Sequence, residues 1–175
     1  MKILDFPILR QTYDYDCGAK ATEAVLGYYG LDIREEKIIK IAKTTKEGTP
    51  INGIKKVAKK YNLKCKAKEM NIEEIKDCIN KNIPVILLLQ AWTEKKKPNW
   101  KEDWVDGHYV VVIGYDKKKM YFEDPSSILR TYLNLKELKD RWHDEDCDGC
   151  KFNHYGIVIY GHKKEFNSKK IIHMN

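Results

Sequence analysis

Apolar residues recur at helical spacing through the first half of the chain and at strand spacing through most of the second. From Cys17, the positions Ala21, Ala24, Val25 and Tyr28 fall on one helical stripe, and Gly30 is placed to stop it. Asp32 with Glu35 has the spacing of a capping box for a second helix carrying Ile38, Ile41 and Ala42. Thr49-Pro50 starts a third, whose Ile51, Ile54, Ala58 and Tyr61 share a face, and Asn71 with Glu74 caps a fourth running through Ile75, Cys78 and Ile79. Strands are predicted over 64–67, 85–89, 109–115, 120–123 and 155–160, and Asn134 with Glu137 caps one more helix that ends near Trp142. Helices gathered before strands, with no repeat or low-complexity linker, predict an α+β fold. A chain of 175 residues has room for one substantial core, so residues 1–175 are expected to form a single domain.

Two of these elements carry reactive side chains at their ends. Cys17 opens its helix, where unpaired backbone N–H groups and the positive end of the helix dipole favour a thiolate and hence a nucleophile. His108 stands at the entrance of the strand His108-Tyr-Val-Val-Val-Ile-Gly-Tyr, and Met120-Tyr-Phe-Glu-Asp124-Pro is a second strand that ends in aspartate. Asp116-Lys-Lys-Lys between them has hairpin-loop length. Antiparallel pairing brings the start of the first strand to the end of the second. His108 and Asp124 then become a base and the carboxylate that fixes its tautomer. Alone, a histidine at a strand end is ordinary, and Asp-Pro often does no more than begin a turn.

Composition narrows the setting. The five cysteines are odd in number and scattered, which suits a reducing compartment better than a secreted disulfide framework. The longest apolar run, Ile83 to Leu89, is strand-sized, and the N-terminus lacks a basic segment followed by a long apolar one. A cytoplasmic protein is expected, neither exported nor anchored. The 33 Lys and Arg against 26 Asp and Glu give a formal charge of +7, read as a solvated lysine-rich surface. No nucleic-acid partner is expected, since aromatics do not interleave with the basic runs. Cys65 and Cys78 sit inside apolar patterns and are expected to be structural.

The ordered set Gln11, Asp16-Cys17-Gly18-Ala19, Tyr28-Tyr29-Gly30, His108 before a Val-rich strand and Asp124-Pro125 resembles the double-glycine leader peptidases, the bacteriocin-processing cysteine peptidases, over most of residues 5 to 142. The resemblance implies a papain-like fold, with an N-terminal helical lobe carrying Cys17 against a C-terminal antiparallel sheet carrying His108. It also implies that Gln11 and the Cys17 amide bind the oxyanion, and that peptide bonds after a Gly-Gly-type leader are cut. The implied partners are a leader-bearing peptide precursor and, because many members are fused to a membrane exporter and this sequence holds none, a separate exporter. No cofactor is required for that chemistry. Two other readings share the scaffold: an acyltransferase using the same triad, and a silent leader-binding module, against which the presence of Cys17 counts.

Two segments stand outside the resemblance. His143, Cys147, Cys150 and His154 provide a donor set chemically sufficient for a structural zinc ion, with a redox-sensitive Cys147–Cys150 pair or a plain polar loop as alternatives. Residues 91–106 look like an insertion leading to His108, and Trp92, Trp100 and Trp104 within it form either a satellite core or a substrate-binding lip.

Overall fold

The computed structural model describes residues 1–146 and 149–174. Among them a mixed helical lobe and one large antiparallel sheet give the α+β, papain-like architecture. The strands of that sheet are β1 (Lys2–Ile3), β2 (Lys64–Glu69), β3 (Val85–Gln90), β4 (Gly107–Tyr115), β5 (Lys119–Glu123), β6 (Thr131–Asn134) and β9 (Tyr155–Tyr160), ordered β2-β9-β3-β4-β5-β6 with β1 beside the end of β4. A separate hairpin joins β7 (His143–Glu145) to β8 (Lys151–Asn153). The central β3, Val-Ile-Leu-Leu-Leu-Gln, is buried at every position, so it needs cover on both faces.

The five helices supply that cover: α1 (Cys17–Tyr28), α2 (Glu35–Ala42), α3 (Ile51–Lys60), α4 (Ile72–Asn80) and α5 (Leu135–Arg141). One sheet face carries Tyr109, whose hydroxyl donates to the Thr49 carbonyl at 3.0 Å and whose ring lies against Gly18 of α1. The other carries Val110 and Phe122, which line a cavity with Glu137 and Arg141 of α5. At the outer rim, β2 has only β9 as a neighbour and bears Lys64, Lys66 and Lys68 along one side, with the Lys66 ammonium 5.9 Å from the Tyr160 ring centroid.

Some helix ends follow local chemistry and others do not. Gly30 at φ 81° accepts the reversal after α1, with Leu31 N–H donating to Leu26 O at 3.0 Å. Asn71 and Glu74 form the expected reciprocal box on α4. The expected box of Asp32 and Glu35 does not form. Helix α2 begins at Glu35 behind an extended Arg34 with no side-chain cap, because Glu35 is buried and its carboxylate is held by Thr12 Oγ1 at 2.5 Å and by Lys20. The short β1, β6, β7 and β8 have no clear periodicity and were not expected.

The β4–β5 hairpin contains a β-bulge. Tyr115 and Gly114 face Met120 and Tyr121, whereas Val112 and Val111 face Phe122 and Glu123, leaving Ile113 as the extra residue. Side chains alternate along a strand, so this single step decides which β5 residues share a face with His108. With the step, Phe122 and Asp124 do; without it, Glu123 would.

Contact between α1 and β4 is close because Gly18 has no side chain. A Cβ there would stand 2.8 Å from Thr49 Cβ and 2.8 Å from the Tyr109 ring, whereas one at Gly27 in the same helix would meet only Pro7 at 3.7 Å. Gly18→Ala is therefore expected to destabilise the fold by about 1–3 kcal/mol, while Gly27→Ala should stabilise it by about 0.5–1 kcal/mol through helix propensity. Urea unfolding of both variants checks this; equal and opposite signs reversed would place the tight contact elsewhere.

Candidate active site

The first turn of α1, the start of β4 and the end of β5 meet at one edge of the sheet. His108 and Asp124 are both buried, and His108 Nε2 lies 2.8 Å from Asp124 Oδ1. With Nε2 so engaged, Nδ1 is the ring nitrogen left to serve the half-buried Cys17, whose side chain is near enough to the imidazole to raise it. Burial pushes the imidazolium down, but the Asp124 hydrogen bond and the Cys17 side chain outweigh it and raise His108 from 6.5 to about 9. Burial likewise raises Asp124, yet His108, the Ser126 N–H and the Trp92 indole hold its carboxyl below the ordinary 3.8.

Asp124 has all of its acceptor directions in use. Oδ1 also takes Ser126 N–H at 2.9 Å, and Oδ2 takes Trp92 Nε1–H at 3.0 Å and Thr131 Oγ1–H at 3.2 Å. The Ser126 bond is the Asp-Pro turn anticipated from sequence. The turn and the contact to His108 are made by one carboxylate.

Gln11 belongs to the loop that feeds α1. Its amide Nε2 donates to the Tyr13 carbonyl at 2.7 Å, which leaves one N–H, while its Oε1 accepts from Ser126 Oγ at 3.0 Å and its backbone N–H donates to Pro125 O at 3.0 Å. The loop is thus sewn to the residues that follow Asp124. Asp16 does not cap α1 with its side chain; its Oδ2 turns back to Tyr13 N–H at 2.9 Å and Thr12 N–H at 3.3 Å. Burial raises the Asp16 carboxyl against those two donors. Beneath it, the buried Lys20 ammonium lies 2.6 Å from Glu23 and 3.1 Å from Glu35. Glu123, on the opposite sheet face from Asp124, accepts Leu9 N–H at 3.1 Å and is pushed up to about 7 by burial.

Beside Cys17 opens a cleft of about 400 Å³ lined by Asp14, Tyr15, Lys46, Glu47, Gly48 and Gly107. Behind Gly107 the buried Asp144 carboxylate accepts from Gln90 Nε2 at 2.7 Å, and burial pushes Asp144 up to about 7.

Of the suggested zinc set, His143, Cys150 and His154 are among the described residues. His143 Nε2 is 2.7 Å from the Asp103 carbonyl, with its ring 4.6 Å from that of Trp104. His154 packs on Trp142, and Cys150 is exposed. Cys147 lies outside the described residues, and among those described no group of three metal-ligating side chains occurs. The insertion divides its tryptophans: Trp100 stacks under the Arg141 guanidinium at 3.8 Å and Trp104 on His143, forming a satellite core, while Trp92 stays exposed beside Asp124. Among the described residues no helix is long and apolar enough to cross a membrane.

Sequence comparison bears on this geometry. The profile of the Peptidase C39 family matches residues 5–145. The chain is 27% identical over 133 residues to the pediocin PA-1 transport/processing ATP-binding protein PedD of Pediococcus acidilactici, and 27% identical over 135 residues to the transport/processing ATP-binding protein ComA of Streptococcus pneumoniae. Each alignment covers 75% of this chain and 17% of the relative, so the chain spans a small part of their length. The peptidase domain of Streptococcus ComA superposes with a TM-score of 0.64 at 22% identity, covering 86% of this chain and 95% of that one. A double glycine motif protease from an AMS/PCAT transporter, solved in complex with the leader peptide, gives 0.65 at 19% identity over 90% and 93%. These structures share the fold.

The raised imidazolium links protonation to stability. A proton held more tightly in the folded state, at about 9 rather than 6.5, stabilises fully below pH 6.5 and ceases to do so as the pH rises through about 9. Urea unfolding from about pH 6 to about pH 10 should therefore show wild type losing stability more steeply than Asp124→Asn, which keeps the shape and removes the charge. Parallel curves would count against the ion pair.

Proposed function

The chain belongs to the peptidase C39 family, and on that premise we propose that it hydrolyses peptide bonds with Cys17 as nucleophile, His108 as general base and acid, Asp124 as orienter, and Gln11 with the Cys17 N–H as oxyanion donors. The observation that carries this reading is the buried His108–Asp124 pair at 2.8 Å, with Cys17 at the first turn of α1 close enough to raise the imidazole. His108 takes the thiol proton as Cys17 Sγ bonds to the carbonyl carbon. The carbonyl oxygen becomes an oxyanion, met by the remaining Gln11 N–H and a first-turn backbone N–H. Collapse breaks the C–N bond, and the imidazolium gives its proton to the leaving amine. Water then attacks the thioester with His108 as base, the C–S bond breaks and the thiol returns.

The substrate we propose is a peptide precursor cut after a Gly-Gly-type leader. Gly48 in the wall of the cleft beside Cys17 has open space where a side chain would stand, which suits a substrate segment whose backbone must approach closely. The family relatives named for transport and processing support the same class, and a membrane exporter, separate from or continuous with this domain, is the partner that class implies.

Cys17 is expected to outpace Cys65 and Cys78 in alkylation by iodoacetamide, since burial pushes Cys65 up to about 11 and raises Cys78 as well. Mass-spectrometric mapping after a short pulse at neutral pH reads the order directly. On a panel of double-glycine peptides, Cys17→Ala should abolish turnover and His108→Ala should lower kcat by roughly 10²–10⁴-fold, with both variants folded. Cleavage by Cys17→Ala at the wild-type rate would sink the assignment.

A further inference from the structure

The insertion before β4 contributes a residue to the site that the triad does not name. Residue Trp92 has a left-handed backbone, φ 58°, a conformation that bulky side chains rarely adopt. Its ring is 59% exposed, so burial of the indole does not account for the conformation. The polar contact the structure gives that side chain is Nε1–H to Asp124 Oδ2 at 3.0 Å.

The surrounding loop is built to hold it there. Ala91 N–H donates to Asp106 O at 2.9 Å and Asp106 N–H donates to Gln90 Oε1 at 2.9 Å, closing the insertion at its base. Lys95 bridges Asp103 at 2.6 Å and Asp106 at 3.2 Å, stiffening the turn above. Strain retained by an over-determined loop, at a residue whose polar atom touches the orienting carboxylate, is the pattern of a functional rather than a packing constraint.

We infer that Trp92 is a positioning residue for catalysis: its indole N–H, with the Thr131 hydroxyl, fixes the second oxygen of Asp124 so that the first stays aligned on His108. The inference rests on the cysteine-peptidase reading. Oδ1 is held by the imidazole and by the Ser126 N–H, and the tilt of the carboxylate about its Cβ–Cγ bond is fixed from the other side by the donors on Oδ2. Thr131 at 3.2 Å is the longer of the two donors on Oδ2. The indole therefore sets the plane of the carboxylate, and through it the direction in which Nδ1 faces Cys17.

The test replaces Trp92 with 3-benzothienylalanine, which keeps the ring shape and substitutes sulfur for the N–H, alongside Trp92→Phe. With folding checked by circular dichroism, both should lower kcat on a double-glycine peptide by about tenfold, the worth of one hydrogen bond to a charged group, with KM within about twofold. A second readout needs no substrate: Cys17 alkylation should slow about tenfold near pH 6, where the thiolate depends on an aligned imidazolium, and be unchanged near pH 10, where it does not. Unchanged kcat and unchanged alkylation in the benzothienyl variant would overturn the inference. A rise in KM alone would also overturn it, making the ring a substrate lip. If wild-type Cys17 itself shows no enhanced alkylation near pH 6, the underlying peptidase reading fails, and the inference with it.

Discussion

Everything at the site depends on how closely α1 can approach β4. The helix carries Cys17 and the strand carries His108, and between them the two elements touch at Gly18, where the Tyr109 ring and Thr49 occupy the space a side chain would take. Tyr109 then ties the loop before α3 by donating to the Thr49 carbonyl, so that one aromatic residue spans the helical lobe and the sheet. A methyl group at residue 18 would wedge the lobes apart beside the point where Cys17 and His108 come together. Buried interiors are close-packed, and such a displacement is passed on rather than absorbed.

Around that contact, buried charge is spent on geometry. The Lys20, Glu23 and Glu35 cluster under the Gln11 loop removes several ions from water, which is seldom a net gain in stability. Its effect is to hold Thr12, through Glu35, and hence the loop that ends at Cys17. Asp124 follows the same logic, receiving donors from β4, from the turn after β5, from β6 and from the insertion before β4. Four stretches of chain thus agree on the position of a single carboxylate, and Ser126 passes that agreement on to Gln11.

The sequence was legible where side chains announce local geometry. The stripe from Cys17 with its Gly30 stop, the Asn71 and Glu74 box, and the runs that became β3, β4, β5 and β9 all declare themselves through period and punctuation. Pairing of His108 with Asp124 followed from hairpin logic alone, although the bulge at Ile113 that puts Asp124 on the correct face has no signature in Val-Val-Val-Ile-Gly. Glu35 misled because a capping residue and a buried ion-pair partner look alike in one dimension. The donors to Asp124 from Trp92 and Thr131 were hidden for a related reason: they are tertiary contacts made by residues whose neighbours show no periodicity. The cysteine and histidine run near the C-terminus could be read only as chemistry, since spacing does not say whether His143 faces its neighbours or the Asp103 carbonyl.

The lysines along β2 bear on what an enzyme for extended peptides must avoid. A bare sheet rim is a template for any chain able to lie flat against it. Lys64, Lys66 and Lys68 turn that rim into a charged border, awkward for a second strand to add to. An extended segment that would pair with β2 thereby meets a row of ammonium groups beside the backbone it would bond.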